Sequence, residues 1–125
     1  MVFEDLRAFM NFLEDTEELV RIKDPVDTKF EIAAYIRKTS DVKGPALLFE
    51  NPKDFTMPVV GGLFATRKRA LLALGVKEGA HVDSFRRALD QPIAPRIVSS
   101  GPCKEIIYKG KDVDLTKLPH LLYSE

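Results

Sequence analysis

Residues 44–69 limit the possible folds of this chain more than any other segment of the sequence. Two short apolar runs, 46–49 and 59–60, flank a polar loop, and a double glycine follows the second run. Apolar runs of this length, bounded by turn residues, are typical of strands buried in a sheet. Thr66 then favours the start of a helix. The segment therefore predicts two central strands and a helix that packs closely against them.

Three further helices are predicted from apolar residues that recur at helical spacing. Asp5 caps the first of them. Its apolar stripe consists of Leu6, Phe9, Met10 and Leu13. Thr28 is the predicted cap of the second helix, and the last helix opens at His81 and runs to Asp90. Each carries enough apolar side chains on one side to pack against a sheet.

Short strands are predicted between and after these helices. One covers residues 18–23 and stops at Pro25, because proline cannot donate to a sheet ladder. Two more are predicted near 96–99 and 105–109, beyond a proline-rich extended connection. Helices that alternate with short strands predict a mixed α/β, or α+β, fold with a small mixed sheet flanked by about four helices.

The last part of the sequence differs from everything before it. Residues 1–109 are predicted to form the α/β domain, and residues 110–125 to form a connector toward another domain. The connector contains aspartates and a proline but has no regular apolar period. We expect its side chains Leu121, Leu122 and Tyr123 to be exposed, as is common in terminal segments.

Composition excludes several classes of protein. The chain has 125 residues, of which 45% are hydrophobic, and a single cysteine. It shows no leader peptide and no apolar run near the roughly 20 residues that span a bilayer, so we expect a soluble cytoplasmic protein that does not enter membranes. Residues 1–50 carry a net charge of −4 and residues 51–125 a net charge of +4. The mixed signs argue against nucleic-acid binding but suit a docking face.

The strongest candidate site is the glycine turn that leads into a basic helix start. Its candidate residues are Thr66, Arg67, Lys68 and Arg69. Backbone amides at a helix N-terminus attract anions, so a phosphate or carboxylate is one possible ligand. The spacing matches neither a dinucleotide fingerprint nor a Walker loop. The other interpretation is close packing at the glycines, with the cations facing solvent or contacting a neighbouring domain.

No other residue is predicted to carry chemistry. His81 and His120 have no orienting partner nearby in sequence, and Cys103 has no histidine or second cysteine beside it. The carboxylates form no set of convergent metal ligands. The sequence therefore predicts no catalytic, cofactor-binding or metal-binding residue.

The order of motifs along the chain resembles the N-terminal part of the UbiD-like reversible decarboxylases. The motifs are residues 5–9 (DLRAF), 18–22 (ELVRI), 44–51 (GPALLFEN), 57–61 (MPVVG), 63–69 (LFATRKR), 74–75 (LG) and 112–119 (DVDLTKLP). They span nearly the whole chain and occur in the same order at compatible spacings.

This resemblance implies a carboxy-lyase that adds or removes CO₂ on aromatic or α,β-unsaturated acids. It implies prenylated FMN, Mn²⁺ and K⁺ as cofactors of the full-length enzyme, where a middle split-barrel domain holds them. It also implies that only the full-length enzyme forms homo-oligomers. The part of the family's sequence that corresponds to this chain contains none of the family's catalytic motifs. The chain is thus expected to be an N-terminal scaffold domain, inactive alone, with a flavin-binding domain as its partner.

Two other functions stay open from the sequence. The first is a free-standing docking subunit of a multi-subunit carboxylase, which the uneven charge and the basic helix start suit. The second is a small anion-binding module centred on residues 61–69.

Overall fold

The computed structural model describes residues 2–124 and shows a small sheet covered by helices. The α-helices are α1 (Leu6–Asp15), α2 (Glu31–Asp41), α3 (Arg67–Ala73) and α4 (His81–Asp90). The strands are β1 (Leu19–Ile22), β2 (Ala46–Phe49) and β3 (Val59–Gly61). Three single 3₁₀ turns follow, at Pro102–Lys104, Gly110–Asp112 and Leu115–Lys117. The predicted class, a mixed sheet flanked by about four helices, is confirmed.

The three strands lie in the order β1-β2-β3. β1 and β2 are parallel, with Leu19 opposite Ala46, and the crossover between them contains α2. β2 and β3 are antiparallel, with Leu48 opposite Val60. β2 is therefore the central strand, and all four of its residues are buried.

The core has two halves, one on each face of the sheet. Successive side chains of a strand point to opposite faces, so Ala46 and Leu48 pack with α1, whereas Leu47 and Phe49 pack with α2. The fully buried anchors are Leu13 from α1 and Ile32 from α2. The continuous apolar run of β2 is explained by burial on both faces.

The starts of α1, α3 and α4 follow the sequence prediction, and the start of α2 does not. The Asp5 carboxylate accepts from the amide of Ala8 at 2.8 Å and caps α1, as predicted. Thr28 does not cap α2, which begins only at Glu31 after Phe30 with a φ of +69°. The Thr28 carbonyl instead accepts from the Leu122 amide at 3.2 Å. Residues 28–30 therefore form a turn that pairs with a distant residue, and the helix begins three residues after Thr28.

Residues 81–118, which we call the arm, are not packed into the core. α4 buries no residue, and residues 91–101 form no helix or strand. The predicted strands at 96–99 and 105–109 are wrong. Ile97 is 96% exposed, and neither segment pairs with a strand of the sheet among the described residues. Their β-forming side chains do not produce a strand, because neither segment pairs with β1 or β3, the edge strands of the sheet.

The chain then returns to the core through residues 119–123, which we call the strap. Phe30 donates its amide to the Leu122 carbonyl at 3.0 Å, and a single parallel bridge joins Lys29 to Leu122. Leu121 packs against the half of the core beside α2, which corrects the expectation that it is exposed. Leu122 and Tyr123 are exposed, as expected. The division into residues 1–109 and 110–125 stays a prediction.

Candidate functional site

The predicted basic site lies at one end of the sheet, and we call residues 61–69 together with Glu18 the basic corner. β3 ends at Gly61, where a Cβ atom would overlap the side chain of Ile36 from α2. Gly62 then turns the chain with a φ of +73°, a conformation that side chains disfavour. The double glycine thus allows close packing and a sharp turn, as the sequence indicated.

Thr66 holds the start of the helix that leaves this turn. Its backbone is extended, and its hydroxyl accepts from the amide of Arg69 at 3.3 Å. This is the N-cap arrangement predicted from the sequence. α3 begins at the next residue, so the side chains of Arg67, Lys68 and Arg69 all leave its first turn.

Arg69 points inward and is the largest fully buried side chain of the described residues, at 1% exposure. Its guanidinium donates to a Glu18 carboxylate oxygen at 2.9 Å and to the carbonyl of Gly44 at 3.0 Å. It also donates to the carbonyls of Gly62 at 3.1 Å and Leu63 at 3.2 Å. These partners precede β1, precede β2 and follow β3, so one side chain ties all three strands at the same end of the sheet.

The other two cations lie on the surface and are paired. Lys68 forms an ion pair with the second carboxylate oxygen of Glu18. Arg67 donates to Glu78 at 2.8 Å, and its guanidinium lies 3.2 Å from a ring nitrogen of His81. The side chain of Lys68 is 76% exposed and that of Arg67 is 61% exposed. The sequence placed the three cations together, but only Lys68 and Arg67 face outward.

Glu18 is the residue of the corner that the sequence analysis missed. Hydrogen bonds from Lys68 and Arg69 lower the pKa of its carboxyl below the ordinary value of 4.5. The carboxylate therefore stays ionised at neutral pH and compensates the buried guanidinium. Glu18 and Arg69 are 51 positions apart in the sequence, and no local pattern in the sequence predicts such a pair.

The basic corner is held together by packing and by ion pairs within the chain. A cavity of about 340 Å³ lies beside it, and its apolar wall includes Phe12, Leu71 and Leu72. The buried cation is compensated within the chain, and each surface cation faces a carboxylate. This arrangement is typical of packing within the domain. Anion binding and domain contact at Thr66, Arg67, Lys68 and Arg69 both stay predictions.

The remaining polar candidates lie apart from one another. His81 opens α4, as predicted, and contacts Arg67. His120 donates to the Leu115 carbonyl at 2.6 Å, and Cys103 is an exposed free thiol. Within residues 2–124, no three His, Cys, Asp or Glu side chains converge as metal ligands. The described side chains therefore do not form a site that fits Mn²⁺. No helix within residues 2–124 is long and apolar enough to cross a membrane.

Comparison with known proteins identifies the domain. Residues 10–89 match the family described as the 3-octaprenyl-4-hydroxybenzoate carboxy-lyase N-terminal domain, UbiD_N. A solved structure of an evolved dimeric form of the UbiD-class enzyme HmfF from Pelotomaculum thermopropionicum, in complex with prFMN, is 32% identical. It superposes with a TM-score of 0.86 over 96% of this chain and 28% of its own.

A second solved relative is the vanillic acid decarboxylase of Sedimentibacter hydroxybenzoicus. Its closed form is 30% identical and superposes with a TM-score of 0.85 over 100% of this chain. Its open form gives a TM-score of 0.81. This chain again spans only 28% of the relative's length. The chain belongs to the UbiD family and has the fold of its N-terminal domain.

Proposed function

We propose that this chain acts as the N-terminal scaffold domain of a UbiD-class decarboxylase. The enzyme adds or removes CO₂ on aromatic or α,β-unsaturated carboxylic acids and uses prenylated FMN. The observation that carries the proposal is the match to a prFMN-bound enzyme over 96% of this chain and only 28% of the enzyme. The rest of such an enzyme is large enough to hold the flavin site.

The proposal assigns prenylated FMN, Mn²⁺ and K⁺ to another domain. Prenylated FMN supplies the group that activates the substrate for loss or gain of CO₂. Within residues 2–124 there is no cluster of metal ligands, and the one buried cation, Arg69, is fully engaged with Glu18 and backbone carbonyls. No catalytic step is therefore assigned to a side chain of this domain.

The domain contributes a rigid surface. Arg69 fixes one end of all three strands, and Leu13 and Ile32 fill the two halves of the core. A rigid element holds its neighbours in a productive geometry more accurately than a loop does. We assign the exposed part of the basic corner, Arg67 and Lys68, to contact with the flavin-binding domain.

Purification of the 125-residue chain in the presence of prenylated FMN, Mn²⁺ and K⁺ tests this function. We expect no visible flavin absorbance after gel filtration and no CO₂ release from aromatic acids. The whole enzyme, meaning this chain with the flavin-binding part encoded after or beside it, should show both flavin absorbance and CO₂ release. Stoichiometric flavin on the isolated chain would contradict the scaffold role, and so would a whole enzyme without flavin.

A free-standing docking subunit is the alternative, and the same corner and charge distribution suit it. The nucleotide sequence after the codon for Glu125 separates the two arrangements. Continuation into a flavin-binding domain supports fusion. A stop codon next to a gene for that domain supports a separate subunit, which must then co-purify with its partner.

A further inference from the structure

We propose that the arm, residues 81–118, is the surface that docks on the flavin-binding part of the enzyme, with the apolar face of α4 as its anchor. This inference rests on the proposed function. It goes beyond it by assigning the main interface to a segment outside the basic corner.

The first observation is an amphipathic helix without a partner. Val82, Phe85 and Leu89 recur at i, i+3 and i+7 and form one stripe on α4. Their exposed fractions are 57%, 68% and 66%. A helix of ten residues is marginal in water without a surface that covers its apolar side. Within residues 2–124, no such surface covers this stripe.

The second observation is that the apolar surface continues along the rest of the arm. The exposed large apolar side chains there are Ile93, Ile97, Val98, Ile106, Ile107, Tyr108, Val113, Leu115 and Leu118. Scattered single apolar residues on a surface need no explanation, but this many on one segment favour an interface. The arm also includes Phe85 and Tyr108, and aromatic side chains are enriched at protein interfaces.

The third observation is that the arm is held at both ends. The ion pair of Arg67 with Glu78 lies just before α4, and the strap pairs with residues 28–30 just after the arm. Near its end the arm also lines a cavity of about 320 Å³ with Met57, through Tyr108 and Val113. A segment fixed at both ends loses less conformational freedom on docking than a free tail does.

The comparisons favour the flavin-binding part of the enzyme as the partner that covers the arm. The match to the vanillic acid decarboxylase covers 100% of this chain, so it includes the arm, and this chain is only 28% of that relative. The arm therefore has a counterpart in a chain several times longer, which contains additional protein to cover it. A second copy of α4 is a poorer partner. A ten-residue helix is about 15 Å long and buries far less than the roughly 1,200 Å² that stable interfaces need.

A photocrosslinker at the centre of the stripe tests the inference in the whole enzyme. Phe85→p-benzoylphenylalanine should crosslink mainly to a peptide of the flavin-binding part. Val42→p-benzoylphenylalanine is the matched control, because Val42 is 69% exposed but lies at the end of α2, outside the arm. It should give little of that product. The proposal would be overturned if the main crosslink joined position 85 to another copy of the arm or to residues 2–75. It would also be overturned if no crosslinked product formed.

Phe85→Asp gives a second measurement that does not depend on the crosslinker. In the whole enzyme it should raise the rate of proteolysis within the arm by at least about tenfold, because the docked state is lost. In the isolated chain it should leave that rate and the melting temperature unchanged. Val42→Asp should change the rate in neither context. Equal cleavage of the Phe85→Asp and unsubstituted whole enzymes would contradict the docking of the arm.

The flavin content of the whole enzyme separates the two proposals. A whole enzyme that lacks flavin overturns the proposed function, and this inference with it. A flavin-loaded enzyme whose crosslinks at position 85 lie elsewhere overturns only the assignment of the arm.

Discussion

The sheet with its covering helices and the arm contain the same kinds of apolar side chain, but only the first region buries them. Phe49 on β2 is fully buried, whereas Phe85 on α4 is 68% exposed. Leu13 on α1 is fully buried, whereas Leu89 is 66% exposed. The difference shows that both regions carry apolar side chains suited to packing, whereas burial requires a partner surface that only the first region has within the described chain.

The largest expected effect sets these two phenylalanines against each other in the isolated chain. Phe49→Ala should lower the free energy of unfolding by about 3–5 kcal/mol, since it leaves a cavity in the core. Phe85→Ala should change it by less than about 0.5 kcal/mol, since exposed positions contribute little. Urea denaturation followed by circular dichroism measures both. If Phe49→Ala does not fold, Phe49→Leu should still be clearly less stable than Phe85→Ala. Equal losses for the two positions would break the comparison.

Arg69 and Lys68 provide a second pair, because they share the partner Glu18. Arg69→Ala should cost about 3–5 kcal/mol, since it removes a fully buried ion-pair partner of Glu18, which keeps only Lys68, and leaves three carbonyls without their side-chain donor. Lys68→Ala should cost less than about 1 kcal/mol, as exposed ion pairs usually do. The same urea titrations apply. A cost for Arg69→Ala no greater than that for Lys68→Ala would mean that Arg69 does not tie the strands together.

A smaller effect is expected from the pH dependence of stability. The pKa of Glu18 in the folded chain lies below its ordinary value of 4.5 because Lys68 and Arg69 donate to the carboxylate. The ionised carboxylate therefore stabilises the fold above that pH, and this contribution is lost as the pH falls through the folded pKa. Urea midpoints from pH 7 to pH 3 should fall less steeply below pH 4.5 in Glu18→Gln than in the unsubstituted chain. Parallel curves would speak against this role of Glu18.

The smallest effect is expected at the predicted anion site. Arg69 is buried, and Arg67 and Lys68 are paired with Glu78 and Glu18. Titration with inorganic phosphate to about 10 mM should therefore leave the amide signals of residues 66–69 unchanged, apart from shifts that chloride at the same ionic strength also produces. A saturable shift specific to phosphate would restore the anion-binding interpretation.

The sequence predicted most of the packed region because its signals are local. The apolar run of β2, the Asp5 and Thr66 caps and the Gly61-Gly62 turn each depend on neighbouring residues, and all were found in the structure. The family, too, was identified from short motifs in order. These features need no knowledge of distant contacts.

The errors occurred where distant contacts decide the structure. Thr28 lost its capping role because the strap pairs with its carbonyl. The segments 96–99 and 105–109 have strand-forming residues but pair with neither edge strand, β1 or β3. Arg69 was expected on the surface, and only its long-range pairing with Glu18 accounts for its burial. Propensity alone cannot predict any of these three outcomes.

Amide hydrogen exchange of the isolated chain tests the contrast between the two regions most directly. It measures the free energy of opening for each segment. We predict slow exchange in β2 and at Phe9–Leu13 of α1, and rates near those of an unstructured peptide for residues 91–118, which become slow in the whole enzyme. Protection of residues 91–118 equal to that of β2 in the isolated chain would contradict the account.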